Sequence, residues 1–185
     1  MGDELKSEVE NALPELAEIR NDELREKVTA AWVTALSEVG CESFTDHRRS
    51  KNPIPGETSP RAGKLVPHIR DVTACVIGMI NQLEDRIGVG INQDETVAGA
   101  LVHDISKLYE FDDRGLDELI PHPHFAIYVL ENAGLSTQIQ HIALSHTESS
   151  RVEPITIEAE LVRLADLAAL HGLFWSESGS LASHV

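Results

Sequence analysis

Aromatic residues make up only 4 % of this 185-residue chain; it has two cysteines and two methionines, and 15 lysines and arginines stand against 31 acids. Each scarcity excludes something. Cys41 and Cys75 lie 34 residues apart with no paired spacing, so neither a disulfide framework nor a thiolate zinc site is indicated. No apolar run approaches the roughly 20 residues that span a bilayer; Val97–Val102, with Gly99 inside it, is among the longest. A membrane protein is therefore not expected. The opening Met1-Gly2-Asp3-Glu4 carries no positive stretch followed by an apolar one, so the expected compartment is the cytoplasm. A formal charge of -16 disfavours nucleic-acid backbone and acidic lipid as partners. What is present is ordinary: 42 % hydrophobic residues in patterned segments, enough for one domain with one sizeable core and too much for a disordered chain.

Period-two alternation is nearly absent, and Val and Ile fall mostly at helical spacing, so the expected class is all-α. Two helices are predicted over Glu8–Ile19 and Asn21–Val39, the second capped at Asn21/Asp22, with Leu24, Val28, Ala31, Trp32 and Leu36 on one face, and stopped by Gly40. Residues 41–65 hold Pro53, Pro55, Gly56, Pro60 and Gly63 and read as an irregular connection, long enough to raise the prospect of a functional loop. A helical bundle follows. Val66–Ile87 aligns Ile69, Val72, Val76 and Ile80; Asp94–Leu108 aligns Val97, Ala100, Leu101 and Ile105. Pro123–Ala133 ends at Gly134, Thr137–Ser145 follows a Ser136 cap, and Ile155–Leu173 opens after Pro154. The expected organisation is thus one structural domain: N-terminal helices and loop over 1–65, a core over 66–175 and a frayed tail over 176–185. The N-terminal helices could pack on that core or on a second copy of the chain.

The few basic residues are not spread evenly. Arg48, Arg49, Lys51, Arg61, Lys64 and Arg70 face the single acid Glu57 between positions 48 and 70, a segment of +5 that leaves -21 for the rest. One reading is a solvated loop that happens to be basic. The other is an anion-attracting rim beside a site.

Candidates for that site are polar residues in apolar helical settings. His103-Asp104 sits within Leu101-Val102-His103-Asp104-Ile105-Ser106-Lys107. Neighbouring helical residues point about 100° apart, so both touch one object only if it lies in the wedge between them, as a metal ion can. His68 and Asp166 are candidates to complete the set. Asp166 has apolar neighbours on both sides in Leu164-Ala165-Asp166-Leu167, where an unpaired buried carboxylate would be costly. For any one of these residues alone, a capped or exposed polar side chain is the simpler account; the set together points to a metal.

The ordered pattern His68, His103-Asp104, Asp166, with intervals of 35 and 62 residues, resembles the HD-domain metal-dependent phosphohydrolases over about residues 24–174. The resemblance implies an all-helical bundle and a divalent metal on His68, His103, Asp104 and Asp166. His122-Pro123-His124 is similar to a branch motif that opens a helix with His-Pro, which nominates His122 over His124. His141-Ile142-Ala143-Leu144-Ser145-His146 resembles the next histidine-bearing helix, but Ser145 stands where a dinuclear branch has a second adjacent histidine. A second metal, or substrate, on His122, His146 and His141 is therefore left open.

The chemistry implied is metal-assisted hydrolysis of a small phosphate ester or nucleotide. Asp104 would also orient water, Lys107 would neutralise phosphate unless it is an ordinary surface lysine, and His122 and His146 would stabilise developing negative charge. The basic segment runs directly into His68, so Arg48, Arg49, Arg61 and Lys64 are expected to include a phosphate clamp. A long nucleic acid is not expected. Two alternatives stay open: a dinuclear iron oxygenase on the same scaffold, predicting two irons where the hydrolase needs one divalent ion, and a non-catalytic nucleotide-binding or regulatory module. The metal's identity among manganese, cobalt, nickel, zinc, iron and magnesium is open as well. Ten arginines to five lysines on an acid-rich chain would also suit a salt-rich cytoplasm.

Overall fold

In the computed structural model, which describes residues 2–51, 61, 63–111 and 119–181, the elements are helical. In chain order they are α1 (Gly2–Ala12), α2 (Asp22–Glu38), α3 (Leu65–Ile87), α4 (Gln93–Val102), α5 (His122–Asn132), α6 (Thr137–Ser145) and α7 (Ile157–Ser178). Short 3-10 segments occupy Pro14–Glu18, Ile105–Phe111 and Glu148–Ser150. No strand occurs among the described residues; Arg48 and Lys64 form one isolated antiparallel bridge. No described helix is long and apolar enough to cross a membrane.

The caps explain most of the boundaries. Asn21, Asn92, Ser136 and Thr156 each accept a hydrogen bond from a backbone N–H three residues on, satisfying a donor that the helix itself leaves open. Three boundaries differ from expectation. The first predicted helix, Glu8–Ile19, is instead α1 followed by a 3-10 turn, because Pro14 offers no N–H and crowds the preceding turn. The predicted Asp94–Leu108 helix leaves α geometry after Val102 and tightens into the 3-10 segment Ile105–Phe111. The last helix continues past Leu173 to Ser178, anchored by buried Phe174. The expected frayed tail at 176–185 therefore begins as helix, and residues 182–185 lie outside the described ones, as do Pro53, Pro55, Gly56, Glu57 and Pro60 of the basic loop.

Helix α4 is the axis of the molecule. Thr96–Val102 is buried without a break, and α4 packs against α2, α3, α6 and α7. A helix covered on all sides reads in sequence as an apolar run rather than an amphipathic stripe. The closest approach is at Gly99, where a Cβ would meet Ile142 Cγ2 of α6 at 2.6 Å. Only glycine lets the two backbones come so near. Trp32 of α2 donates its indole N–H to the Leu101 carbonyl at 3.1 Å, tying α2 to the end of α4. One hydrophobic cluster runs from Val9 in α1 to Ala165 in α7, so the N-terminal helices share the core.

Candidate metal centre

Two helix ends build the inner part of the site in the same way. His103 follows the last residue of α4 and His146 follows the last residue of α6; each sets Nδ1 2.7 Å from the carbonyl three residues back, Ala100 and Ala143 respectively. A carbonyl only accepts, so Nδ1 carries the proton and caps a carbonyl that the helix end leaves unpaired. In the neutral ring, Nε2 is then a lone pair aimed at the centre, the arrangement a metal ligand needs.

Both lone pairs look at Asp104. Its Oδ2 lies 3.4 Å from His68 Nε2 and 3.6 Å from His103 Nε2; its Oδ1 lies 3.3 Å from His122 Nε2 and 3.4 Å from His146 Nε2. Asp166 Oδ1 is 3.0 Å from His68 Nε2. His103 and His68 stand 3.3 Å apart through their Nε2 atoms, and His122 and His146 stand 3.4 Å apart. Yet Asp104 Oδ1, Asp104 Oδ2 and Asp166 Oδ1 are buried without a hydrogen-bond partner. Orphaned carboxylate oxygens facing imidazole lone pairs are costly in a dry interior, and a cation between them removes the cost. The donors therefore fit one divalent ion at His68, His103 and Asp104, and a second at Asp104, His122 and His146.

The local electrostatics follow from burial and from the acids. Burial drives His103 and His122 down to about 4, outweighing the attraction of Asp104, so both rings are neutral at neutral pH. Burial also opposes the charged form of His146, but the adjoining Asp104 carboxylate wins and moves it upward. Burial alone would raise both carboxyls. The surroundings reverse this: His103 and Lys107 hold Asp104 well below the usual carboxylate range, and the approach of His68, with Arg49 beyond it, holds Asp166 low.

The remaining expected site residues divide cleanly. Arg49, 11 % exposed, lies 3.5 Å from Asp104 and 3.6 Å from Asp166. It is held at the neck of the basic loop, where its N–H donates to the Gly63 carbonyl at 2.7 Å. Lys107 pairs with Glu110 at 3.1 Å and lines the cavity. The structure does not bring the other three basic residues there. Arg61 pairs with Asp71 at 2.7 Å, Lys64 with Asp46 at 2.6 Å, and Arg48 lines a separate cleft beside Cys41 and His47. Acids on the same surface take up Arg61 and Lys64, and the bridge at the loop's neck turns Arg48 and Arg49 to different sides. His141 is also elsewhere: its Nε2 accepts the Ile155 N–H at 3.1 Å, which staples the turn leading into α7. His122 reaches the centre while His124 is exposed.

The cavity, about 390 Å³, has a further wall that sequence reasoning missed. Arg163, Leu167, Leu170 and His171 of α7 line it, together with Thr147, Glu148 and Ser149. The signal was present: positions 163 and 170 lie three before and four after Asp166, on its face of the helix. Ser106 was missed too; its hydroxyl donates to the His122 carbonyl at 2.6 Å and fixes the start of α5.

Comparison with known proteins bears on this arrangement. The chain is 33 % identical over 114 residues to the dihydroneopterin 2',3'-cyclic phosphate phosphodiesterase of Methanocaldococcus jannaschii, a match covering 57 % of this chain and 46 % of that relative. The chain thus spans less than half the length of that relative. No solved structure matches significantly. Residues 73–169, which include His103-Asp104, His122, His146 and Asp166, match the HD domain family model, and the chain belongs to that family.

Proposed function

We propose that this chain is a metal-dependent phosphohydrolase acting on a small phosphate ester, with one divalent cation on His68, His103, Asp104 and Asp166 and a second on Asp104, His122 and His146. The observation that carries the reading is Asp104: each oxygen faces its own pair of imidazole nitrogens, and neither is hydrogen-bonded. Divalent cations at such donors lower the pKa of water and withdraw charge from a phosphoryl group. The chain's own residues do the rest. Asp104 joins the two donor sets and orients the attacking water. Arg49 and Lys107 supply positive charge at the cavity wall, where a phosphoryl oxygen would lie. Four imidazoles against two carboxylates favour iron, nickel, cobalt, manganese or zinc over magnesium.

The relative's name supports a cyclic phosphodiester as substrate. A cavity of about 390 Å³ suits a compact ester of mononucleotide size, and the charge of the remaining surface opposes an extended nucleic acid. A dinuclear iron oxygenase would use the same two donor sets, so counting two metals does not separate the readings; phosphate chemistry does. The deciding experiment combines metal content of the purified chain with hydrolysis of 2',3'-cyclic and linear phosphate esters, Asp104→Ala serving as control. Metal-dependent ring opening that disappears in Asp104→Ala is the expected result. Two irons with oxygen-dependent oxidation and no ester cleavage would replace this reading by the oxygenase. Tight metal with no turnover of any ester would leave a regulatory domain.

A further inference from the structure

Beyond the metal donors, α7 continues along the cavity with residues that bind no metal. Arg163, Leu167, Leu170 and His171 follow at helical spacing around Asp166, and Glu148 lines the same cavity. Leu167 is 44 % exposed although it is a large aliphatic residue at the mouth of a polar site. Arg163 is held by Glu160 through two hydrogen bonds, Nε to Oε2 at 2.8 Å and a terminal nitrogen to Oε1 at 2.7 Å. These bonds lie in the plane of the guanidinium and hold it by its edge. Two aliphatic side chains, a fixed guanidinium and an imidazole along one wall match the faces of a flat ring system. The Glu148 carboxylate, which also lines the cavity, offers an acceptor to ring N–H groups.

Resting on the phosphohydrolase reading, we infer that this wall is a recognition subsite for a nitrogen heteroaromatic ring carried by the substrate, with Leu167, Leu170, Arg163 and His171 packing its faces and Glu148 reading its edge. The inner donors take the phosphate, and α7 takes the ring. Both functions sit on one rigid helix, because Asp166 is four residues from Leu170, so ring placement and phosphate placement are coupled.

The test compares wild type with Leu167→Ala/Leu170→Ala and with Glu148→Gln, using guanosine 2',3'-cyclic phosphate and base-free glycerol 1,2-cyclic phosphate. The preference for the nucleotide, expressed as a ratio of kcat/KM values, is expected to fall about tenfold in the double variant, as loss of aliphatic contact to a ring implies. Glu148→Gln is expected to lower the same ratio severalfold through KM. Equal losses for both esters, or no loss for either, would overturn the subsite. Equilibrium binding of the nucleotide, followed by calorimetry, separates this inference from the hydrolase reading. If wild type cleaves neither ester but binds the nucleotide about tenfold more tightly than the double variant, the subsite stands and the hydrolase reading falls. Absence of binding in wild type removes the subsite.

Discussion

The inner end of the cavity and the basic segment at its mouth are both clusters of charged or titratable residues, and they are held in opposite ways. At the inner end four of the donors are set by local structure: His103 and His146 cap their own helices, Ser106 holds the carbonyl of His122, and Asp104 sits at the tightening of α4 into a 3-10 turn. Among the described residues of the basic segment, Arg49 is directed inward beside the bridge that closes the loop's neck, while Arg61 and Lys64 meet acids in solvent. Position is specified where burial makes an unpaired group expensive; at the surface, water pairs it equally well.

Asp104 belongs to both donor sets, and its removal has the largest expected effect. Asp104→Asn preserves volume but removes the charge facing four imidazoles, and kcat/KM is expected to drop by about a thousandfold or more, with metal content falling at both positions. A metal loss confined to one position would show that Asp104 does not join the two sets. Next in size is Gly99→Ala. Its new methyl would meet Ile142 Cγ2 at 2.6 Å and Cδ1 at 2.7 Å, forcing α4 and α6 apart and with them His103 and His146. Urea unfolding is expected to show a loss of about 1–3 kcal/mol, together with weaker metal binding. Adding Ile142→Ala removes both clashing atoms and should restore part of each.

How much of this was legible follows from the same contrast. His68, His103, Asp104 and Asp166 converge as their motif implied, and the choice of His122 over His124 agrees with the geometry, because polar residues inside apolar helices have few places to point. The helices were visible through caps and periodicity, except where Pro14 divided the first and where the chain tightened after Val102. His141 lies apart from the other candidate histidines. A histidine that accepts a backbone N–H from a distant turn has the same sequence appearance as one that binds a ligand. The clamp residues divide for a related reason: an excess of +5 along the chain says nothing about which acids, such as Asp46 and Asp71, the fold sets beside it.

That point sharpens into a kinetic comparison. Arg49→Gln is expected to raise KM for a phosphate ester by about ten- to a hundredfold, since it removes a nearly buried guanidinium beside both carboxylates. Arg61→Gln and Lys64→Gln, whose partners are exposed acids, should each change KM by less than about twofold. An Arg61 or Lys64 variant matching Arg49→Gln would return the whole segment to the site and abolish the contrast.

The smallest expected effect concerns His47, whose carbonyl accepts the Leu65 N–H where the neck of the basic segment meets α3. Its ring packs edge-on against Phe111 at 4.7 Å between centroids, and its Nε2 is buried without a partner. Burial lowers its pKa below the ordinary histidine value of 6.5. The unfolded chain, with histidine near 6.5, therefore binds the proton more readily than the folded one, so folding is at full strength above that pH and weakens as pH falls through 6.5 toward the lower folded value. His47→Phe keeps the aromatic contact and removes the titration. Urea unfolding of metal-loaded protein at pH 7.5 and 5.5 should therefore show a shallower acid-side loss in the variant than in wild type, by a fraction of one proton. Metal loading matters because it occupies the inner histidines and leaves His47 to titrate. Identical slopes in the two proteins would mean that the neck opens enough on protonation to hydrate Nε2, placing His47 with the solvent-exposed pairs of Arg61 and Lys64 rather than with the fixed core.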